Sequence, residues 1–344
     1  MDGVVSIRDV AARAGVSAAT VSNVLNRPGV VARETRARVQ AAIEDLGFIR
    51  NESARQLRAG HSSFVGFILR DITNPFFTDV ARGAEDKVIE AGLAVIMCNA
   101  DDQETRESRY LDLLEQQRVR GILITPTNQS GDRLDLIRKH GIPVVLVDKH
   151  AGGSHCSVSV DDTLGGDLAI SHLIAQGHER ICYVSAQFQV RQEQERYDGA
   201  VRALKRSGLN RTDLYVISTP ALNVSSGRIA GAELADLNPA HRPTAVFCAN
   251  DLLALGLLQE FTQRGLKVPQ DFAIVGYDDI EFAASAAVPL SSIRQPRIQL
   301  GRAAADMLMD ESSDGAHHKH RQVVFQPELV IRQSSDPTHQ AAGQ

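Results

Sequence analysis

No stretch of about 20 consecutive apolar residues occurs in the chain, which excludes a membrane-spanning helix. The opening, MDGVVSIRDV, has neither a basic head nor an apolar run, so no secretory signal is expected. Only four cysteines are present, Cys98, Cys156, Cys182 and Cys248, far apart and without paired spacing. Three of them, Cys98, Cys182 and Cys248, fall in apolar runs that read as strands. Reduced core residues of a cytoplasmic protein are therefore expected, without disulfides. There is no long internal repeat and no low-complexity tract. The Gly-x-x-x-x-Gly-Lys loop, the Gly-x-Ser-x-Gly elbow and the His-Glu-x-x-His helix are all missing. The carboxylate pairs Asp161-Asp162 and Asp278-Asp279 have no nucleophile beside them in sequence, so no catalytic residue is expected and the chain does not read as an enzyme. His317-His318-Lys319-His320 has neither cysteine nor carboxylate at useful spacing. It reads as a solvated loop, and neither a metal nor a cofactor is expected.

At 344 residues with 43% hydrophobic content, the chain has room for one small and two medium domains. Its charge is unevenly spread. Residues 1–60 hold nine arginines, no lysine and six acidic residues, or +3, which leaves −8 for the rest of a chain whose net charge is −5. A basic head on an acidic body suits a nucleic-acid partner at one end only.

Within that head, Ser6 precedes IRDVAARA with Asp9 three places on, a helix-capping start. Ile7, Val10, Ala11 and Ala14 form an apolar face, and Gly15 ends the helix because it turns left-handed without strain. Ser17 can cap the next helix, AATVSNVLN, across a tight turn. That pattern is a helix-turn-helix, whose second helix enters the major groove. Val21, Val24 and Leu25 are expected in a small core closed by a third helix, about 32–46, through Val39, Ala42, Ile43 and Leu46. Ala18, Ala19, Thr20, Ser22 and Asn23 are left outward. The stretch 51–60, NESARQLRAG, is too short to hold a helix alone in water and reads as a hinge that folds against DNA.

From residue 63 the rhythm changes to short Val- and Ile-rich runs separated by amphipathic stretches. Strand then helix, repeated, predicts parallel sheets covered on both faces. The repeat breaks near residues 161–164 and the chain returns near 292–296. The expected fold is thus a helical helix-turn-helix headpiece plus an α/β two-lobe core with two doubly wound parallel sheets. The expected division is 1–50 for the headpiece, 51–62 for the hinge, 63–162 with 293–321 for the first lobe, 163–292 with 322–337 for the second, and 338–344 as a tail. Ligands of such sheets bind outside the carboxyl ends of the strands, which here means the cleft between lobes. Asn74-Pro75-Phe76-Phe77, Asp148, Arg196, Asn250-Asp251 and Asp278-Asp279 fall at such positions. One of Phe76 and Phe77 is expected to face the cleft. Asp251 and Asp279 read equally as helix caps or surface charges. Rings, carboxylates, an amide and a guanidinium together fit a hydroxyl-rich ligand such as a sugar, and a purine stays open.

IRDVAARAGVSAATVSNVLN resembles the helix-turn-helix of the LacI/GalR family of bacterial transcription regulators, and NESARQLRAG resembles that family's hinge helix. The likeness continues through NPFF, the AND at residues 249–251 and the GYDDI at 276–280, so it spans nearly the whole chain. It implies a periplasmic-binding-protein-like core and a ligand-responsive repressor, bound as a homodimer to a pseudo-palindromic double-stranded DNA operator. Ala18, Ala19 and Asn23 match the family's main base readers, with Asn in place of the commoner Arg at 23. Asn can bind adenine bidentately and Ala can touch a thymine methyl. Thr20 and Ser22 are expected on phosphates. The DNA-facing set also takes in Ser6, Ser17 and Asn26, with Ser53, Ala54 and Leu57 in the hinge and Leu57 as a minor-groove wedge. For the effector the resemblance implies contacts from Arg196, Asn250 and Asp278, with Asp148 and Asp161 lining or bracing the cleft beside Phe76 and Phe77. Residues 186–194 follow the family less closely and border the cleft. A transporter's sugar receptor and a sugar-processing enzyme on the same core are the competing readings. The Arg-rich head opposes the first and the missing catalytic constellation opposes the second. The tail lacks an apolar heptad, which favours a dimer over a tetramer.

Overall fold

The computed structural model describes residues 5–48, 62–127, 131–150, 152–186, 190–314 and 318–336. The chain divides into two compact units, with the break between Ser62 and Ser63.

The first unit contains α1 (Ile7–Ala14), α2 (Ala18–Asn26) and α3 (Arg33–Leu46). Gly15 ends α1 with φ 65°, and its N–H bonds back to the last turn. That left-handed residue sets the tight turn into α2. Val10, Ala11, Ala14, Val21, Val24, Val39 and Ala42 form the small core, with Leu25, Ile43 and Leu46 packed at its edge. Arg13 Nε donates to Asp45 at 2.7 Å and ties α1 to the end of α3.

The second unit is the two-lobe core. Its first lobe has β1 (Phe64–Leu69), α4 (Pro75–Glu90), β2 (Ala94–Asn99), α5 (Glu104–Gln116), β3 (Gly121–Ile124), α6 (Gly131–Lys139), β4 (Val144–Val147) and β5 (Cys156–Val160). The second lobe follows with α7 (Asp162–Ala175), β6 (Ile181–Ser185), α8 (Arg191–Arg206), β7 (Leu214–Ser218), α9 (Val224–Asp236), β8 (Ala245–Cys248), α10 (Asp251–Gln263), β9 (Ala273–Asp278), α11 (Glu281–Ser285) and β10 (Ser291–Arg294). There follow α12 (Arg297–Asp314), β11 (Gln322–Phe325) and β12 (Glu328–Val330). The strand orders are β11-β5-β4-β3-β1-β2 and β12-β10-β9-β8-β6-β7. Every pairing is parallel except β10 with β12. Both sheets are wound on either face by helices, which is why strands such as Gly121–Ile124 and Val144–Val147 are buried throughout. Among the described residues no helix is long and apolar enough to cross a membrane.

Two boundaries differ from the sequence expectation. The sequence pattern places residues 322–325 in the second lobe as one half of a strand pair with β12. Instead β11 pairs with β5 and extends the first sheet. Ile293 and Arg294, assigned to the first lobe, pair with β9 and β12 in the second sheet. The physical reason is the same at both places. A crossover needs residues freed from a sheet ladder, and proline, which cannot donate to one, supplies the break at Pro296 and Pro327. Among the described residues the chain therefore crosses between lobes three times, at 161, 295–296 and 326–327.

Close helix packing places the second lobe's cleft residues. A Cβ at Gly166 of α7 would lie 1.9 Å from the Arg196 carbonyl oxygen of α8, and one at Gly199 would lie 1.9 Å from that of Thr163. Reciprocal glycines let the two backbones touch, and this sets Arg196 at the base of the cleft.

Candidate functional site

The outer face of α2 carries small and polar groups. Ala18, Ala19, Asn23 and Asn26 are exposed, while Thr20 and Ser22 are half-buried. Ser17 caps the helix by accepting the Thr20 N–H at 3.1 Å, and the two hydroxyls lie 2.9 Å apart. Asn26 donates to the Ser22 carbonyl at 2.8 Å. Ser6 donates its N–H and its hydroxyl to Asp9, at 2.8 and 2.7 Å, and these bonds hold the Asp9 carboxyl below its ordinary range. The hinge residues Ser53, Ala54 and Leu57 lie outside the described residues.

In the core, the carboxyl ends of both sheets face one cleft. From the first lobe it is lined by Arg70, Asn74, Phe76, Phe77, Asp102 and Asp148. The second lobe contributes Gln192, Glu193, Arg196, Asn250 and Asp278. Asn74 caps α4 by accepting the Phe76 N–H at 3.0 Å, and Pro75 suits the first helical position. Phe76 and Phe77 are both buried, packed edge to face with ring centroids 5.0 Å apart. Both belong to the core and both line the cleft, so the expected division of labour between them does not occur.

Arg196 is held from three sides. Its Nε donates to Asp162 at 2.7 Å, another nitrogen donates to the Ala249 carbonyl at 2.6 Å, and the guanidinium lies 3.7 Å above the Tyr277 ring. Tyr277 in turn donates its hydroxyl to Asp162 at 2.8 Å. Burial opposes the charge of Arg196, but the carboxylates of Asp162, Asp278 and Asp148 outweigh it and raise its pKa.

The two central carboxylates sit on left-handed backbone, with φ 55° at Asp148 and 105° at Asp278. Non-glycine residues in that region are uncommon and cluster at functional sites. Burial, then the neighbouring Asp162 charge, pushes Asp148 up to about 7 against the pull of Arg196. Burial pushes Asp278 up to about 6, opposed by Arg196 and by hydrogen bonds from Gln295 and Asn74. Gln295 donates to Asp278 at 2.7 Å, while Asp148 Oδ1 is buried without a hydrogen-bond partner. Arg297, at the second crossing, donates to the Asp278 carbonyl at 2.6 Å and pairs with Asp79 of α4 at 2.9 Å.

The remaining sequence candidates have structural duties. Asn250 caps α10 by accepting the Leu253 N–H at 2.9 Å and donates to the Leu222 carbonyl at 2.9 Å while lining the cleft. Asp161 caps α7 through Leu164 N–H at 2.9 Å and lines a neighbouring pocket instead. Asp251 and Asp279 are neither caps nor surface charges. Asp251 accepts from Ser292 and the Ile280 N–H, at 2.7 and 2.9 Å. Asp279 pairs with Arg294 and Arg332 at 2.7 and 2.6 Å. Sequence reasoning missed Asp162, the partner of Arg196, and Gln192, which joins the lobes. The Asp161-Asp162 pair was the available signal, but it does not say which carboxylate turns inward.

A helix-turn-helix unit in one chain with a two-lobe, cleft-bearing core defines the class of ligand-responsive DNA-binding regulators. Residues 6–51 match the model for bacterial regulatory proteins of the lacI family, and residues 170–335 match that for a periplasmic binding protein-like domain. An HTH-type transcriptional repressor PurR from Photobacterium profundum is 35% identical, covering 96% of this chain and 98% of the relative. The ribose operon repressor of Escherichia coli K12 is 36% identical over 88% and 92%. Among solved structures, the lac repressor dimer bound to operator and the anti-inducer ONPF aligns with a TM-score of 0.84 at 26% identity, covering 97% of this chain and 99% of that one. A LacI-family regulator from Enterococcus faecium with bound ribose aligns at 0.73 and 30% identity, over 80% and 99%. The chain belongs to the LacI family of bacterial transcriptional regulators; it is a repressor of that family and not an enzyme.

Proposed function

We propose that the inter-lobe cleft takes a sugar or sugar derivative, and that its occupancy sets how tightly a homodimer of this chain holds a pseudo-palindromic operator in the cytoplasm. The observation that carries this is the convergence of Asp148, Asp278 and Arg196 beside the Phe76–Phe77 pair. Carboxylates accept hydrogen bonds from vicinal hydroxyls, a guanidinium donates to their oxygens, and the rings cover the apolar face of a sugar. Ribose bound to the E. faecium regulator supports this ligand class.

On the DNA side, Ala18, Ala19 and Asn23 read base edges, and Thr20, Ser22, Ser6, Ser17 and Asn26 position α2 on the backbone. Ser53, Ala54 and Leu57 would contact DNA from the hinge, with Leu57 as the minor-groove wedge. One such unit reads only a short half-site, so specific binding takes two chains. The ligand acts only through its different affinity for the two lobe arrangements, which differ in where the first lobe delivers the chain to its hinge. Calorimetry with ribose, other pentoses, hexoses and purines tests the cleft. Ribose or another sugar is expected to bind with one site per chain. A purine binding while every sugar fails would replace the ligand class.

A further inference from the structure

Away from the cleft, at the opposite end of the first sheet, four groups meet that the effector reading does not use. Cys156 opens β5, Glu311 lies near the end of α12, and His318 and His320 lie in the approach to β11. Their ligand atoms all fall within 4.8 Å of one another. The His run thus has in space the cysteine and the carboxylate that it lacks in sequence.

The contacts are of two kinds. Cys156 Sγ is 3.1 Å from His318 Nε2 and accepts the Arg321 N–H at 3.3 Å. Glu311 Oε2 and His320 Nδ1 face each other at 4.0 Å, too far for a hydrogen bond, and both are buried with no hydrogen-bond partner. Glu311 is only 7% exposed. An unsatisfied buried polar atom is costly and rare in native folds. An ordinary hydrogen-bonded pair accounts for Cys156 and His318 but leaves Glu311 and His320 unexplained.

A single ion accounts for all four. With bonds of about 2.3 Å to sulfur and about 2.0–2.2 Å to nitrogen and oxygen, tetrahedral ligand atoms stand roughly 3.3–3.6 Å apart. The 3.1 and 4.0 Å pairs bracket that separation and every other pair lies within 4.8 Å, so side-chain rotation can draw the four atoms around one ion. Thiolate and imidazole select zinc-class ions over magnesium or calcium.

We propose that Cys156, Glu311, His318 and His320 form a closed tetrahedral site for a divalent transition ion of the zinc class. Four protein ligands leave no open position, so the ion is structural. It staples β5, the end of α12 and the approach to β11, the edge strand from which the chain makes its last crossing into the second lobe.

The test uses the full chain, freed of any affinity tag and stripped with chelator, then titrated with Co²⁺, Zn²⁺ and Mg²⁺. One Co²⁺ per chain is expected, with strong tetrahedral bands in the visible and a thiolate-to-metal charge-transfer band in the near ultraviolet, both erased by Zn²⁺. The melting temperature should rise with Zn²⁺ and not with Mg²⁺. Cys156→Ser should lose the charge-transfer band. His320→Asn, in the half-exposed approach to β11, should weaken Zn²⁺ binding at least about a hundredfold, the upper end of what outer-shell changes cost. Less than one equivalent bound, a Co²⁺ spectrum without charge transfer, or unchanged affinity in His320→Asn would overturn the site.

Discussion

Gln192 of α8 donates its side-chain amide across the cleft to the Asp148 carboxylate at 3.1 Å and also to the Asp148 carbonyl. One residue of the second lobe thereby grips the strand end of the first. A hydrogen bond of this kind contributes about 0.5–1.5 kcal/mol net, or a few-fold to about tenfold in an equilibrium. Gln192→Ala should therefore weaken ligand binding by that factor, because the lobes no longer latch when closed. Calorimetry checks it, and unfolding should shift by no more than about 1 kcal/mol.

The raised carboxylates give a pH dependence with a definite sign. Asp148, at about 7, and Asp278, at about 6, hold protons in the folded core that they would release in the unfolded chain near 3.8. Stability from this source is present at low pH and declines as pH rises from about 4 towards 7. Sugar hydroxyls donate best to ionised carboxylates, so ligand affinity should run the other way. It should rise with pH between about 5.5 and 7.5, by at most about tenfold per unit for each proton released. Titrations across that range should give a flatter profile in Asp148→Asn.

Arg196 and Asp162 form a buried pair, 6% and 2% exposed. Removing one partner of such a pair costs about 3–5 kcal/mol because it strands the other charge. Arg196→Ala should lose that order of stability in chemical denaturation and abolish ligand binding. Arg196→Lys should keep more of the stability yet still bind poorly, since an ammonium cannot span Asp162, the Ala249 carbonyl and a ligand with one planar fork.

Asn23 is exposed on α2, and its amide can read an adenine edge. Asn23→Ala should relax discrimination at one position of each half-site by about 1–3 kcal/mol while leaving the salt dependence of binding unchanged. Anisotropy with single-base operator variants measures this. An equal loss on every sequence would assign Asn23 to the backbone instead.

Much of this architecture is legible in sequence because the signals are local. Ser17 and Gly15 mark the turn of the headpiece, and the alternation of Val-rich runs with amphipathic stretches marks both lobes. What escaped depends on partners far apart in the chain. Asp162 meets Arg196 across 34 residues, and Cys156 meets His318 across 162. The misplacement of β11 has a similar origin. QVVF is an apolar run that either sheet could accept, and only its pairing with β5 decides. Nothing local in Gln192 marks it as the residue that closes on Asp148.

The coupling itself is best measured by the affinity of the full chain for an operator fragment, with and without a saturating sugar identified by calorimetry. Wild type and Asp278→Asn are compared at the same modest salt. Occupancy of the cleft should change operator affinity roughly 5- to 150-fold in wild type, the range of ordinary allosteric coupling, and far less in the variant. Equal operator affinity with and without bound sugar in the wild-type protein would contradict it.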